Sequence, residues 1–338
     1  MTGRRVVAFG GGHGLSASLR ALRHCAPELD LDITAVVTVG DDGGSSGRLR
    51  AERGGLPPGD LRQALVALAG DHPATRRSAG LFQHRFAAAP AAGVPREGLA
   101  DPDPAADRAD GLAGHAVGNL VLCGLMELLG DPVAALEHAG AMLGTVGRVL
   151  PMSRQPVDIE ARVRGADPAG PDEVRTVRGQ HQVAVTTGRV ESLRLTPAAP
   201  AACAEALAAI GAADWLIFGP GSWYTSVLPH LLVPQLADAI VSSSARRLVT
   251  LNLAAEKETL GLSVADHLAA LHWYLPELKV DLVLADAKAV GDPEPVERAA
   301  ESLGARLVLA PVAVTDGAPR HDPAALGAAL VPVLGADR

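Results

Sequence analysis

Two adjacent carboxylates followed by a glycine- and serine-rich stretch are the most distinctive polar feature of this chain. Asp41 and Asp42 come at the end of an apolar, β-branched segment, and residues 43–47 read GGSSG. Carboxylates at a strand end can accept hydrogen bonds from ribose hydroxyls, or they can hold Mg²⁺ through oxygen ligands. Asp-Asp-Gly-Gly is also a good loop sequence, in which the aspartates cap loop amides. The sequence leaves these three roles open.

Two further glycine-rich segments, GGGHGL at 10–15 and GPGSWYTS at 219–226, also follow apolar strand patterns. Glycine lets backbone N–H groups turn toward an anion, and a helix that follows adds its N-terminal partial charge, so both segments suit phosphate. Either segment alone is also typical of a tight strand-to-helix turn. The first does not satisfy G-x-G-x-x-G, because Leu15 stands at the third glycine. In a doubly wound sheet all three segments would meet at the carboxyl edge, which favours a nucleotide or a phosphate ester.

Polar residues at two predicted helix starts are weaker candidates. His115 and Asn119 lie in GHAVGNL, where a contact with a ligand and a capping role are equally consistent with the pattern. Asp60 lies in LPPGDLRQAL, where we favour a helix N-cap. Arg48 and Arg62 are candidates for pairing with phosphate.

The elements that must hold these residues follow an α/β rhythm. A strand at 4–10, a helical pattern and a β-branched strand at 31–40 form a βαβ opening. From residue 213 continuous apolar runs alternate with helical patterns again, as is typical of a parallel sheet buried on both faces. The sequence therefore predicts a Rossmann-like, doubly wound, mostly parallel α/β sheet.

The organisation along the chain is predicted to be a single α/β domain over residues 1–338. Residues 87–112 are rich in Ala, Pro, Asp and Gly, which predicts a flexible insertion. Residues 157–195 contain VDIEARV, QHQVAVTT and RVESLRL, whose alternation predicts three strands of a small β excursion, with a turn cluster at 165–173.

Composition narrows the class of protein. The net charge is −8 and no Lys/Arg block offsets it, so we expect no nucleic-acid partner. The three cysteines have no metal-ligand spacing, which fits a reducing cytoplasm. Apolar runs are interrupted before 18 residues, so we expect neither a signal peptide nor a membrane span.

Taken together, the motifs TVGDDGGSSGRLR, GGGHGL, LPPGDLRQAL, GHAVGNL, GRVLPMS and GPGSWYTSVLPHLL resemble the YvcK-type gluconeogenesis factor family of bacteria. That family is part of the superfamily of 2-phospho-L-lactate transferase, and the resemblance runs from residue 4 to about 325. It implies a Rossmann-like fold that binds a UDP-sugar, especially UDP-N-acetylglucosamine (UDP-GlcNAc). It also implies a regulator of cell-envelope morphogenesis and of growth on gluconeogenic carbon, with a protein partner in amino-sugar synthesis and no established turnover. Mg²⁺ is a possible cofactor that would bind together with the ligand. We also expect a homo-oligomer.

The resemblance also implies which residues contact the ligand, and it implies no catalytic residue. They are Gly10, Gly11, Gly12, His13, Gly14 and Leu15 of the first loop; Asp41, Asp42, Gly43, Gly44, Ser45 and Ser46 of the acidic loop; His115 and Asn119; Gly219, Gly221 and Ser222; and Arg320. The chain departs from the family pattern at 252–262, NLAAEKETLGL, which lacks the usual Pro-Gly and aromatic residue, so contacts from this segment are in question. His13 stands where many relatives carry threonine.

Two enzymatic alternatives compete with a binding protein. A Mg²⁺-dependent phospholactyl transferase of the coenzyme F420 pathway shares the glycine-loop and acidic layout, but GGSSGRLR after Asp42 resembles the regulator branch. A nicotinamide-dependent dehydrogenase would use Asp41 on a ribose, but the glycine fingerprint is incomplete. We expect binding without turnover.

Overall fold

A computed structural model describes residues 3–88, 111–167, 169–259 and 261–336. The predicted flexible insertion at 87–112 lies almost wholly outside the described residues. In chain order the strands are β1 (Arg4–Gly10), β2 (Leu31–Val37), β3 (Arg148–Pro151), β4 (Asp158–Arg164), β5 (Val174–Arg178), β6 (Arg189–Thr196), β7 (Trp215–Phe218), β8 (Arg246–Thr250), β9 (Leu282–Asp286) and β10 (Arg306–Ala310).

The helices alternate with these strands. They are α1 (Gly12–Leu29), α2 (Gly44–Arg53), α3 (Pro58–Leu68), α4 (Pro73–Gln83), α5 (Val117–Leu129), α6 (Pro132–Leu143), α7 (Gln180–Val185), α8 (Ala204–Ala212), α9 (Pro234–Ser242), α10 (Val264–Tyr274), α11 (Ala287–Val290), α12 (Glu294–Ser302) and α13 (Pro323–Gly335). Shorter π or 3₁₀ turns occupy Trp223–Val227, Leu228–Leu232 and Lys257–Thr259.

The larger sheet of the described chain has the order β10-β9-β8-β7-β1-β2-β3, and all its neighbouring strands are parallel. From β1 the chain builds outward to β2 and β3, then returns to the other side of β1 with β7 and builds outward again. Residues 6–10 of β1 are all buried, because helices cover both faces of the sheet. The Rossmann-like, doubly wound prediction is therefore confirmed, and the order reverses between β1 and β7.

The small β excursion is confirmed as an antiparallel sheet of order β5-β4-β6. One of its predicted strands is wrong: QHQVAVTT forms the short helix α7, and the second strand along the chain is instead β5 at Val174–Arg178, an edge strand of this sheet. The chain turns between them at Gly179, whose φ of 95° favours glycine. Strand alternation over so few residues does not separate a strand from one turn of helix.

The acidic stretch is less irregular than its composition predicts. β2 ends at Val37, so Asp41 and Asp42 lie in a loop beyond the strand rather than at its last residues. The helix α2 then begins at Gly44 and places Ser45 and Ser46 in its first turn. The polar segment is thus a loop followed by a helix whose N-terminus lies near the carboxyl edge of the sheet.

Candidate functional site

The first and third glycine loops touch each other at the point where the strand order reverses. β1 and β7 are parallel neighbours, so the loops that follow them leave the same edge of the sheet. A Cβ at Gly14 would lie 2.3 Å from the Pro220 carbonyl oxygen and 2.4 Å from the Gly221 Cα. Only glycine allows this approach of two backbones. Open α/β sheets bind their ligands at such a switch point.

A cleft of about 930 Å³ opens beside this contact. Its volume is at the upper end of the roughly 300–1,000 Å³ typical of small-molecule sites. The predicted site residues that line it are Gly11, Gly12, His13, Gly14, Asp41, Gly221, Ser222 and Arg320. The predicted site residues that lie outside the lining are Gly10, Leu15, Asp42, Gly43, Gly44, Ser45, Ser46, His115, Asn119 and Gly219. Leu15 packs in the hydrophobic core.

The two neighbouring aspartates point to different places. Asp41 lines the cleft, and its Oδ1 accepts a hydrogen bond from the Gly43 backbone N–H at 2.9 Å. Asp42 Oδ1 instead accepts from the backbone N–H of His181, in the first turn of α7, at 2.8 Å. Asp42 therefore ties the small β excursion to the acidic loop, while Asp41 faces the cleft.

A second carboxylate of the cleft, Asp60, was not among the predicted contacts. Its expected N-cap role is wrong, because Pro57 is the N-cap of α3 and Asp60 lies inside the first turn. The side chain is 6% exposed and accepts a hydrogen bond from Thr38 Oγ1 at 3.2 Å. Burial, and then the charge of Asp41, raise the pKa of Asp60 to about 7. Two carboxylates thus share this part of the cleft.

This pair fits a magnesium ion. Asp41 and Asp60 offer carboxylate oxygens, and the Gln180 side chain, which reaches Asp60, has a buried Oε1 without a hydrogen-bond partner among the described atoms. Mg²⁺ prefers such hard oxygen ligands and is usually held by one or two carboxylates together with phosphates and water. A dedicated cage is lacking in the described chain, where no three His, Cys, Asp or Glu side chains form a metal-binding group.

A chain of buried hydrogen bonds stands behind the cleft and contains three of the predicted residues. Ser45 Oγ lies 2.9 Å from His115 Nδ1 and accepts from Asn119 Nδ2 at 2.9 Å. Asn119 Oδ1 in turn accepts from Arg62 Nε at 2.8 Å, and Arg62 lines the cleft. His115 and Asn119 therefore do not cap α5, whose N-cap is Ala116, but support a cationic side chain of the cleft wall.

The segment in question at 252–262 holds the third glycine loop in place. Asn252 bonds both backbone groups of Gly221, accepting from its N–H at 2.9 Å and donating to its carbonyl at 2.9 Å. Glu256 accepts a hydrogen bond from the Ser222 hydroxyl. The same segment lines the cleft from Asn252 to Glu256. The segment therefore contacts the third glycine loop, and Asn252 holds Gly221 most directly.

Glu258 extends this support into the core. Its Oε1 accepts from the backbone N–H of Tyr224 at 2.8 Å, and the residue is 2% exposed. Burial raises the pKa of Glu258 to about 7. Sequence reasoning missed Asn252, Glu256 and Glu258 as loop supports, because only the fold brings together residues that are 31 or 34 positions apart.

Arg320 lies at the open rim of the cleft. Its side chain is 65% exposed, and its guanidinium donates to Asp316 Oδ2 at 2.8 Å within an i,i+4 ion pair. Such an exposed ion pair contributes little to the stability of the fold.

The fold and the cleft define a class: a Rossmann-like α/β protein with a polar, glycine-lined cleft at the switch point of its parallel sheet. A family model described as 2-phospho-L-lactate transferase CofD matches residues 6–309. A relative from Mycobacterium tuberculosis (strain ATCC 25618 / H37Rv) is 47% identical over 336 residues, which cover 98% of this chain and 91% of that protein. The chain therefore belongs to the 2-phospho-L-lactate transferase CofD family, among its gluconeogenesis factors.

A second relative and a solved structure are also similar to this chain. The gluconeogenesis factor of Bacillus subtilis (strain 168) is 34% identical over 305 residues, covering 90% of this chain and 84% of that one. A crystal structure of a UPF0052 family member from Bacillus halodurans has a TM-score of 0.79 at 32% identity, covering 98% of this chain and 99% of the other. Among the residues that the structure describes, no helix combines the length and apolarity needed to cross a lipid bilayer.

Proposed function

We propose that this protein is a nucleotide-sugar-binding regulator whose ligand is UDP-GlcNAc. Through that ligand it would adjust cell-envelope precursor supply and growth on gluconeogenic carbon, in the cytoplasm. Membership among the gluconeogenesis factors supports the physiological part of this proposal. The contact between the first and third glycine loops supports the ligand class, and it is the observation on which the proposal depends.

That contact creates a cradle for a diphosphate. α1 begins at Gly12 without a side-chain cap. The Gly12 N–H donates to Asp60, which leaves the His13 and Gly14 N–H groups of the first turn for an anion. Gly221 and Ser222 line the cleft next to them from the opposite loop. A diphosphate in this cradle would receive backbone N–H groups and the positive end of the α1 dipole. The first turn of α1 contains no acidic residue, but the Asp60 carboxylate lies beside it, so the diphosphate would share this end of the cleft with Asp60.

The carboxylates give the remainder of the ligand a polar environment. Asp41 would accept hydrogen bonds from sugar hydroxyls, or would share a Mg²⁺ ion with Asp60 beside the diphosphate. Asp42 is occupied by the His181 backbone N–H, so we expect it to act on the loop rather than on the ligand. The Arg320 guanidinium, at the rim of the cleft, would pair with the diphosphate.

Differential melting tests the ligand. UDP-GlcNAc should raise the melting temperature in proportion to RT ln(1 + [L]/Kd), whereas UDP-glucose, GDP and NAD should do less at the same concentration. The series is run with Mg²⁺ and with EDTA. Equal shifts from NAD and UDP-GlcNAc, or none from UDP-GlcNAc at millimolar concentration, would remove the proposal.

Substitutions at the two aspartates then separate their roles. Asp41→Asn should weaken UDP-GlcNAc binding with and without Mg²⁺ if Asp41 accepts from hydroxyls, and only with Mg²⁺ if it is a metal ligand. Asp42→Asn is the matched control at the neighbouring position, where we expect no direct contact with the ligand. Calorimetric titration of both variants decides between the two roles, and wild-type binding by Asp41→Asn in both buffers would remove Asp41 from the site.

A second candidate is a Mg²⁺-dependent phospholactyl transferase, which the family description and the Asp41/Asp60 pair favour. We infer the binding protein instead, since GGSSGRLR resembles the regulator branch. Mass spectrometry after incubation with a deazaflavin acceptor, a nucleotide-linked donor and Mg²⁺ tests this choice. Product above the enzyme-free control would reverse it.

We also propose that the protein has a protein partner in amino-sugar synthesis and that it forms a homo-oligomer. Leu128 and Met142, in the neighbouring helices α5 and α6, are 78% and 47% exposed, and we propose that they belong to the interface of a homo-oligomer. Light scattering after size exclusion measures the mass of the particle. A monomer at about 100 µM would exclude an oligomer with a Kd of roughly 1 µM or tighter.

A further inference from the structure

Arg62 is a buried cation for which the proposed diphosphate cradle has no use. It is 3% exposed, yet it lines the cleft. Its hydrogen bonds go to neutral amide oxygens: Nε donates to Asn119 Oδ1 at 2.8 Å, and Nη1 donates to Gln83 Oε1. No ion pair involving Arg62 occurs in the described part of the chain, and Asp60 and Asp41 act on its pKa only from a distance. A buried guanidinium without a contacting carboxylate is costly.

The surroundings of Arg62 are built to orient it. Asn119 is itself fixed by Ser45, which is bonded to His115. The Arg62 side chain packs so closely on α5 that a Cβ at Gly118 would lie 2.8 Å from its Cδ. Nε and Nη1 are engaged, Nη2 has no hydrogen bond to another described residue, and the residue lines the cleft. A guanidinium held by two amides on one side and free on the other is preorganised for an oxyanion.

A second cation lies on the same wall. Arg85 lines the cleft and is held by a hydrogen bond from its Nη1 to the Gly114 carbonyl at 2.8 Å. Both guanidinium groups line the same cleft, so their like charges repel each other there. An anion between them would remove that repulsion.

We propose that the wall formed by Arg62 and Arg85 is a second oxyanion subsite, which binds a phosphate or carboxylate group separately from the glycine loops. It rests on the proposed function only in assigning the glycine loops to the nucleotide diphosphate. Arg62 contacts α4 and α5, whereas the cradle belongs to α1 and the loop after β7. The cleft volume of about 930 Å³ leaves room for both. The protein would thus bind two anionic groups at once, the second from a small metabolite.

Titration of inorganic phosphate and of phosphoglycolate, at constant ionic strength, measures this subsite in the ligand-free protein. We expect saturable binding to wild type, and at least a tenfold weaker affinity in Arg62→Gln. The matched control is Arg77→Gln, which removes an exposed arginine of α4 outside the cleft and should leave the affinity within twofold. Equal phosphate affinity in wild type and Arg62→Gln would overturn the proposal.

Asn119→Asp is a second variant that keeps the proposal testable if Arg62→Gln fails to fold. Aspartate keeps the shape of asparagine and places a carboxylate on Arg62 Nε, which neutralises the cation. The Asn119 Nδ2 donor to Ser45 Oγ is lost, and the Ser45 hydroxyl can donate to the carboxylate in its place. We expect this variant to melt cooperatively and to lose phosphate binding at least tenfold. Retained binding in a folded Asn119→Asp protein would show that the free charge of Arg62 is not what attracts the anion.

The same titration in saturating UDP-GlcNAc separates the two proposals. If the subsite is distinct, phosphate binds within about twofold of its affinity for the free protein, and UDP-GlcNAc affinity survives Arg62→Gln. Mutual exclusion would show that the nucleotide's own phosphates occupy Arg62, and would overturn the separate subsite. If UDP-GlcNAc fails to bind at all, the nucleotide-sugar function fails, while the phosphate titration of the free protein still decides the subsite.

Discussion

The stability of the Asp60→Asn variant relative to wild type should increase as the pH rises. Asp60 has a pKa of about 7 in the folded protein against 3.8 as its ordinary value, because of burial and the neighbouring Asp41. The folded state therefore binds more protons than the unfolded state between these two pH values. By linkage, the wild type loses stability as the pH rises through this window. Asparagine cannot ionise, so the variant escapes the loss.

The size of the effect follows from the interval. At 1.36 kcal/mol per pKa unit, the part of the interval above pH 4.5 corresponds to about 3 kcal/mol. The free energy of unfolding of Asp60→Asn minus that of wild type should therefore increase by about 3 kcal/mol between pH 4.5 and pH 8. Urea unfolding in EDTA at four or five pH values measures the difference, since most other titrating groups cancel between the two proteins.

Asp286→Asn is the matched control for the sign. Asp286 is also buried, and burial would raise its pKa, but four backbone N–H groups, including those of Val312 and Lys288, outweigh burial and lower it. Its contribution is lost only as the pH falls below about 4, the ordinary range of an aspartate. We expect Asp286→Asn to be destabilised by an amount that is constant from pH 4.5 to 8. A flat difference for Asp60→Asn as well, or one that decreases with pH, would refute the assignment of a buried, repelled carboxylate.

Three other substitutions test the cleft. Gly14→Ala should cost about 1–3 kcal/mol of stability in urea unfolding and weaken UDP-GlcNAc binding, because its Cβ would meet backbone atoms at 2.3 and 2.4 Å. The control Gly124→Ala has open space around its Cβ and should be neutral or stabilising in the same assay. Asn252→Ala leaves both backbone groups of Gly221 unpaired and should cost about 1–3 kcal/mol in the same assay; an unchanged midpoint would contradict the support of this loop. Arg320→Ala should lower UDP-GlcNAc affinity roughly ten- to a hundredfold in calorimetry with little change in melting, and wild-type affinity would remove Arg320 from the site.

Local patterns located most of the parallel sheet, because a strand buried on both faces leaves a continuous apolar run. The predicted runs at 4–10, 214–219 and 279–286 contain β1, β7 and β9, and β9 begins three residues later than its run. Patterns failed where the segment was short or polar. QHQVAVTT alternates as a strand would but forms α7, and GSSGRLR lacks an apolar stripe but forms α2. Both helices lie against the acidic loop, and contacts from distant residues decided their structure.

The sequence by itself determined that glycine loops follow β1 and β7, because glycine at a strand exit is a local requirement of backbone conformation. It also determined that carboxylates lie near them. Only the tertiary structure decided which carboxylates face the cleft, since that depends on what each side chain meets: α7 takes Asp42, and the start of α3 adds Asp60. In the same way Ser45, His115 and Asn119 became the support of Arg62. Their residue types are compatible with ligand contact, but hydrogen-bond partners 57 and more positions away in the chain fix their direction.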